Sequence, residues 1–470
     1  MYAAAYKTPA CITLPFLEQT PLAMNQLPDE LILDIVSHLQ LVQPSPSLLA
    51  QGLTDEVYTR DQAENQQRLS ALAGLCLASK RLHRIATATL YSTLIIYAGS
   101  PDQCYRPACF LRTMIACPDL RQAVFSVHAL TKSDWHFTYG DLESADIIVP
   151  EARRIVVKDG DFDKWQSLLG TSQTEACLVL MLAYTSNIRQ LVWSPCPQNM
   201  TTVIELTMCG RCRESGENRS PFRNLSSMLL ATSNHFQPLF GITRARFPSL
   251  RNMQLDGQME LKDNWYAVGN GRVEVKFLSS LRLIRTHLEY IQLPQIITPI
   301  NSLEHLAFST ELMYLGHAHM LTNLHAALSK HHHCLKSLSL MADALHCSFT
   351  DAQQTYPQLY SLRDFSALTT LDLPSILLLG APFAPPSQLI SENLEVDKEA
   401  YWAETSPEYR ISELLPPSLQ QLMVRDHYEL QRDSLVLEQL TEDCLRFPNL
   451  DWIRWRKNLC EDDGEDFVIF

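Results

Sequence analysis

Between Leu27 and Leu39 the apolar residues Leu31, Ile32, Ile35, Val36 and Leu39 fall at spacings of three and four. That periodicity puts one wide apolar face on a short helix. Pro28 suits the first turn, because its fixed φ is helical and its missing N–H is not needed there. Asp29 and Glu30 add negative charge at the positive end of the helix dipole. A helix this short must bury its face against something else to persist. Gln43-Pro44-Ser45-Pro46-Ser47 stops it and reads as a linker, and Gly52 to Gln67 is polar with sparse apolar positions. Helical spacing resumes at Leu69, Leu72, Leu75, Cys76, Leu82 and Ile85 and ends near Leu90-Tyr91, with a polar corner at Ser79-Lys80-Arg81. The pattern predicts three helices between Asn25 and Tyr91, with residues 40–68 as a long insertion after the first. Residues 1–24, broken by Pro9, Pro15 and Pro21, are expected to be a flexible lead-in without the pattern of a signal peptide.

From about Leu94 onward a different pattern recurs. Phe247-Pro248-Ser249-Leu250-Arg251-Asn252-Met253-Gln254-Leu255 carries apolar residues at offsets of three and two. The same offsets return at Leu303/Leu306/Phe308, Leu335/Leu338/Leu340, Leu368/Leu371/Leu373, Leu419/Leu422/Val424 and Leu450/Ile453/Trp455. Leu281/Ile284 and Ile188/Leu191/Trp193 are weaker copies, and Leu120 begins a degraded earlier one. From Leu250 the copies start about 31, 22, 32, 33, 51 and 31 residues apart, around the leucine-rich-repeat range with insertions. Side chains alternate along a strand, so the last two apolar positions of each copy point into one shared core. One strand per copy stacks into a parallel sheet, with helices on one side. Helices are expected at Asn224 to Phe236, Thr322 to Lys330 and Leu435 to Leu445. Residues 381–410 read as a surface insertion and Gly269-Asn270-Gly271 as a hairpin turn. Glu461 to Asp466 reads as a solvated acidic tail.

Composition narrows the partners. The net charge of −14 argues against nucleic acid or an anionic membrane as partner. Thirteen scattered cysteines suit reduced thiols of the cytoplasm or nucleus better than a disulfide scaffold. No apolar run nears the roughly 18 residues that span a bilayer; Ala176 to Tyr184 is core-sized.

Chemistry-bearing motifs are few. Gly269-Asn270-Gly271 lacks the third glycine and the following helix of a dinucleotide fingerprint, and there is no nucleophile elbow, Walker loop or His-Glu-x-x-His. Cys209-Gly210-Arg211-Cys212 holds half of a zinc spacing without a second pair nearby. His331-His332-His333-Cys334 reads as a polar loop rather than a metal site, because adjacent side chains point apart. Asp161 and Asp163 are expected to be solvated. No cofactor, metal or catalytic residue is expected. An enzyme using Cys209, Cys212 and the histidines stays open as an alternative.

The residues Leu27-Pro28-x-Glu30-Leu31-Ile32-x-x-Ile35-Val36-x-x-Leu39, then Leu72-x-x-Leu75 and Ser79-Lys80-Arg81-Leu82, resemble an F-box, over Asn25 to Tyr91. The chain departs from that family in its long 40–68 segment, in Leu82 where Trp or Phe is usual, and in Ala78. The region from Leu120 to Trp455 resembles an irregular leucine-rich-repeat horseshoe. Together these imply an α/β repeat protein: a three-helix F-box at 25–95, then a repeat solenoid over 96–470. The resemblance implies a non-catalytic subunit of a Skp–cullin–F-box ubiquitin ligase, docking on a Skp adaptor and through it on a cullin–RING ligase. The implied docking residues are Leu27, Pro28, Leu31, Ile32, Ile35, Leu39, Leu75 and Leu82. A protein substrate would lie on the concave face, where Gln421, Arg425, Trp452, Arg454 and Arg456 fall; exposed Trp and Arg are the types that most often carry interface energy. The same strand face is equally readable as solvated. An interaction scaffold not coupled to ubiquitination is the other reading of the whole chain.

Overall fold

A computed structural model of the chain describes residues 27–42, 55–98, 105–131, 145–155, 159–171, 173–185, 187–194, 203, 206–207, 222–232, 247–257, 277–286, 288, 290, 292–314, 318–346, 359, 361–374, 377–378, 411–426, 446–457 and 466–468. The chain divides into two compact units, Met1–Pro44 with Thr54–Thr93, and Ser45–Leu53 with Leu94–Phe470. The linker at 43–47, the lead-in at 1–24, the hairpin at 269–271, the insertion at 381–410 and the helix expected at 435–445 lie outside the described residues.

The first unit holds α1 (Asp29–Ser37), α2 (Asp55–Ala78) and α3 (Lys80–Ser92). Ser79 separates the last two, and its hydroxyl accepts the Leu82 amide at 3.1 Å as an N-cap. Ile32, Val36, Leu72, Leu82, Ile85 and Ala86 form this unit's own buried core. The second helix is longer than the hydrophobic pattern predicts: it starts at Asp55, so residues 55–68 are helical and not loop. Polar contacts replace the missing apolar ones. Asn65 brackets the Val42 backbone, its Oδ1 accepting from the amide at 2.7 Å and its Nδ2 donating to the carbonyl at 3.0 Å. Arg68 donates to the carbonyls of His38, at 3.1 Å, and of Gln40, satisfying acceptors left over where α1 ends.

The second unit is one sheet of sequential strands: β1 (Thr93–Ala98), β2 (Ser126–Thr131), β3 (Gln190–Ser194), β4 (Ser227–Thr232), β5 (Asn252–Gly257), β6 (Ser280–Thr286), β7 (His305–Tyr314), β8 (Ser337–His346), β9 (Thr370–Pro374), β10 (Gln421–Asp426), β11 (Trp452–Lys457) and β12 (Asp466–Val468). Every neighbouring pair from β2 to β11 is parallel, and β12 closes the edge antiparallel to β11. This is an α/β chain of the leucine-rich-repeat solenoid kind preceded by helices.

Register makes the repeat explicit. Val127, Leu191, Met228, Met253, Leu281, Leu306, Leu338, Leu371, Leu422 and Ile453 stand in one row across ten strands, all buried. The strand entries repeat as well. The carbonyls of Phe125, Arg189, Ser226, Arg251, Ser279, Glu304, Lys336, Thr369 and Gln420 each accept two consecutive amides of the next strand, at 2.7 to 3.3 Å. Before the entry, the amides of Leu225, Leu250, Leu368 and Leu450 close a turn onto the carbonyls of Phe222, Phe247, Phe365 and Phe447. These phenylalanines are buried, so the repeat carries a fourth apolar position, three residues ahead of its first leucine.

Three sequence expectations change. Residues 227–232 form β4, not the helix expected at Asn224 to Phe236, because Leu225, Met228 and Leu230 keep the repeat offsets with Met in place of Leu. The copy assigned to Leu281/Ile284 is Leu278/Leu281/Leu283, three residues earlier, since Met253, Leu281 and Leu306 are in register. The earliest recognisable copy is Val124/Val127/Ala129; Leu120 sits in the short helix α5 (Pro118–Arg121) ahead of it. The helix expected at Thr322 to Lys330 is present as α10 (Ala318–Ser329).

Helices cover the core face of the sheet. Besides α5 they are α4 (Tyr105–Ala116), α6 (Ala145–Ile155), α7 (Asp159–Thr171), α8 (Gln173–Tyr184), α9 (Leu293–Ile297) and α10, with α11 (Ile411–Leu414) ahead of β10. Leu111, Trp165, Leu180, Ile297, Leu324 and Leu328 join the strand leucines in a single core. The apolar run at 176–184 is a helix buried all round. Trp165 on α7 donates its indole N–H to the Ala176 carbonyl of α8 at 3.0 Å. Asp161 pairs with Lys164 at 3.6 Å in place of standing solvated. Asp466, read as part of a solvated tail, opens β12 opposite Arg456.

Two buried ionisable groups on β2 and β5 give the fold opposing pH dependences. His128, fully buried with its Nε2 2.7 Å from the Ser126 hydroxyl, is pushed down to about 4 by burial. The imidazole is then neutral in the folded chain but titrates near 6.5 once unfolded, so its contribution is full above 6.5 and is lost as pH falls toward 4. Asp256, buried and pushed up to about 6, acts the other way: its contribution is full below about 4 and is lost as pH rises through 6. Replacing His128 by Gln removes the first dependence, of roughly 2–3 kcal/mol. Unfolding monitored by circular dichroism should therefore lose less stability between pH 6.5 and 4.5 in His128→Gln than in the parent. Equal slopes would remove His128 as the acid-sensitive group.

Candidate functional site

Two surfaces carry the residues singled out by sequence. On α1 the buried residues Ile32 and Val36 mark the stripe facing α2 and α3. Pro28, Leu31 and Ile35 lie beside that stripe at offsets of three and four, which makes them one ridge along the helix. All three are exposed, with Leu31 at 50% and Ile35 at 40%. Leu33, at 52%, flanks the stripe on the other side, and Leu77 near the end of α2 is 88% exposed. Leu33 and Leu77 escaped the sequence reading because neither belongs to the periodic positions; only their exposure identifies them. Apolar side chains held out of a helical core at this density mark a surface that gains by being covered.

The eight expected docking residues therefore separate. Ile32 and Leu82 are core, while Leu27, Leu39 and Leu75 are half-buried against it. Pro28, Leu31 and Ile35 remain available to a partner. Charge fixes the start of α1 in place. Arg81 Nε donates to Asp29 Oδ1 at 2.7 Å, Arg84 donates to Oδ2 at 3.0 Å, and Arg81 also reaches the Leu27 carbonyl at 2.6 Å. Exposed ion pairs of this kind contribute at most about 1 kcal/mol each, so they orient the helix more than they stabilise it.

The second surface is the sheet face turned away from the leucine rows. Register places Gln421 beside Trp452, Met423 beside Arg454 and Arg425 beside Arg456, so the expected substrate residues occupy two adjacent strands. Gln421, Arg425, Trp452 and Arg454 are half-buried. Arg425 is already engaged: its Nε and a terminal nitrogen hold the two Asp372 oxygens at 2.8 and 3.0 Å, and Ser339 donates to the same carboxylate at 3.1 Å. Gln421 accepts from the Thr370 hydroxyl at 3.5 Å. Nor does β11 form the edge of the sheet, since β12 pairs along it. The face presents a pre-ordered polar strip and not a row of free cations.

Burial on this face varies by row: the row at the strand entries exposes Asn252 and His305, while the row two residues on buries Val192, Leu229 and Gln254 on β3 to β5 and exposes Arg282 on β6. Elsewhere, His331 is buried with its Nδ1 accepting the Leu303 amide at 3.3 Å, and the Cys334 thiol donates to the Leu303 carbonyl at 3.4 Å. That segment is a turn after α10, in line with a polar loop. Among the described residues no group of three or more His, Cys, Asp or Glu is arranged to hold a metal ion, and no helix is long and apolar enough to cross a membrane. Cys209 and Cys212 lie outside the described residues.

Compared with models of known protein families the chain matches none, and no curated protein matches it.

The separation of ridge from core is directly testable. Leu31→Asp should leave thermal stability within about 0.5 kcal/mol of the parent, because the position is already wet. Ile32→Asp, one residue along, buries a charge without a partner and should unfold the helical unit. Helical circular dichroism and limited proteolysis of residues 25–93 distinguish the two outcomes.

Proposed function

We propose that this chain is the substrate-holding subunit of a Skp–cullin–F-box ubiquitin ligase and performs no chemistry itself. The carrying observation is the exposed ridge Pro28, Leu31 and Ile35 on a helix clamped by Asp29, Arg81 and Arg84. The ridge falls on the residues through which the sequence resembles an F-box, and it supports a protein partner covering it. A solenoid of sequential parallel strands supplies a long rigid face, which suits the holding of a polypeptide. The mechanism in this reading is proximity: one end of the chain binds the ligase, the other the substrate, and the effective concentration of substrate lysines at the charged enzyme rises without a catalytic group from this chain.

The experiment is co-expression with a Skp adaptor and co-purification of the full chain, alongside Leu31→Asp/Ile35→Asp. Since both positions are exposed, the double variant should keep its circular dichroism and elution volume while losing the adaptor. Adaptor binding by the parent but not the variant, with a cullin retained in the complex, supports the ligase reading. Adaptor bound without a cullin favours the interaction scaffold instead. No adaptor binding by the parent overturns the assignment.

A further inference from the structure

From β6 to β8 the second sheet face is open to solvent and floored by short side chains. Register sets Ser280, His305 and Ser337 side by side at the strand entries, with Arg282, Ala307 and Ser339 two residues further on. Arg282 and His305 are exposed, and the serines and Ala307 between them are partly exposed. Another chain can approach the sheet closely over such residues. On β3 and β4 the second of these rows is filled instead by buried Val192 and Leu229.

Two cations border this trough. Arg282 makes no hydrogen bond or ion pair among the described residues. Arg285 sits in a break of the β6–β7 register between Leu283 and Thr286, with φ of 50°, a strained conformation for a residue other than glycine. Strain of this kind concentrates at ligand sites. Here it brings the guanidinium to Asp256, with Nε and a terminal nitrogen donating to Oδ1 at 3.0 and 2.9 Å. Asp256 is sealed and cannot touch an occupant; it holds one edge of the fork in place. The Arg285 side chain stays 39% exposed, leaving its other N–H donors for a second acceptor. Two guanidiniums against one carboxylate leave this spot positive in a chain whose total charge is −14. On β10 and β9, by contrast, Arg425 and Asp372 neutralise each other.

We propose that Arg282 and Arg285 read a carboxylate side chain of a polypeptide segment laid across β6 to β8, its main chain resting on Ser280, Ala307 and Ser337. A guanidinium fork matches a carboxylate in shape and charge. One carboxylate cancels the local excess, whereas a lysine or arginine of the partner would be repelled. A phosphate dianion would leave negative charge beside Asp256, whose burial already disfavours its ionised form. The overall charge of the chain opposes the many phosphates of a nucleic acid. Asp256 is a positioning residue in this arrangement and Arg282 the free anchor. The assignment gives the substrate-holding reading of this face its chemistry and rests on that reading. Adaptor docking is measured on the other unit by co-purification, so either can fail without the other.

The test uses the full chain labelled with 13C in its histidine rings, because His305 is exposed on this same face beside Ser280 and Ser337. Its signal is assigned from His305→Gln. Capped pentapeptides, all alanine except for a central glutamate, glutamine, lysine or phosphoserine, are titrated at constant pH. The expected result is a saturable shift of His305 with the glutamate peptide and about five-fold weaker binding of the glutamine peptide. The phosphoserine and lysine peptides should bind no more tightly than glutamate. Arg282→Gln should weaken the glutamate response about five-fold, and Arg285→Lys should weaken it too, since its ammonium is spent on Asp256. Arg363→Gln, which removes an equal charge from an exposed turn position ahead of β9, should leave the response unchanged. Arg282 and Arg363 are both exposed, so this pair decides the matter even if Arg285→Lys fails to fold. Equal binding of the glutamate and glutamine peptides, tighter binding of phosphoserine or lysine, equal losses in Arg282→Gln and Arg363→Gln, or no shift of His305 overturns the assignment.

Discussion

The structure depends on how each strand is handed to the next. One carbonyl at the entry of a strand accepts two consecutive amides of its successor, and this bond pair recurs from Phe125 to Gln420. It sets the phase of every copy, because a one-residue slip would turn the apolar set from the core to the opposite face. The leucine rows follow from that phase, and the Phe-x-x-Leu turns ahead of several strands bring the chain into it. Connections between strands differ widely in length, yet the entry geometry stays constant, so insertions are absorbed outside the sheet.

Because the phase is constant, the two faces acquire different work. One buries Leu, Met, Val and Ile in a core shared with the helices. The other collects Asn, Gln, Asp, Ser, Thr, His and Arg, and here the energetics turn on pairing. Asp372 is fully used by Arg425 and Ser339. Asp256 is half used, though buried more deeply, and burial outweighs the pull of Arg285 enough to raise its carboxyl. Two carboxylates on one face thus differ in what they can still accept.

In the helical unit polar and apolar work are divided along one helix. The last turns of α2 pack Leu72 and Leu75 with the small core; ahead of them, Asn65 and Arg68 occupy backbone groups after α1. The core is small, so the ridge of α1 stays outside it, with Leu31 and Ile35 exposed one position from buried Ile32 and Val36.

Much of this was legible in the chain. Offsets of three and two announced strands at Leu303, Leu335, Leu368, Leu419 and Leu450, and spacing of three and four announced α1 and the break at Ser79, because a periodic apolar pattern states which side of an element must leave water. The sequence could not set the phase at Leu278, recognise the copy built on Leu225 and Met228, or extend α2 to Asp55. Phase is a property of strand pairing, Met fills a leucine site only once its neighbours define the site, and a polar helix held by side-chain-to-backbone bonds has no apolar period to read. Nor could it divide the docking residues into core and ridge, since Leu31 and Ile32 are chemically alike. Only the packing of α2 and α3 decided which of the two had its water removed.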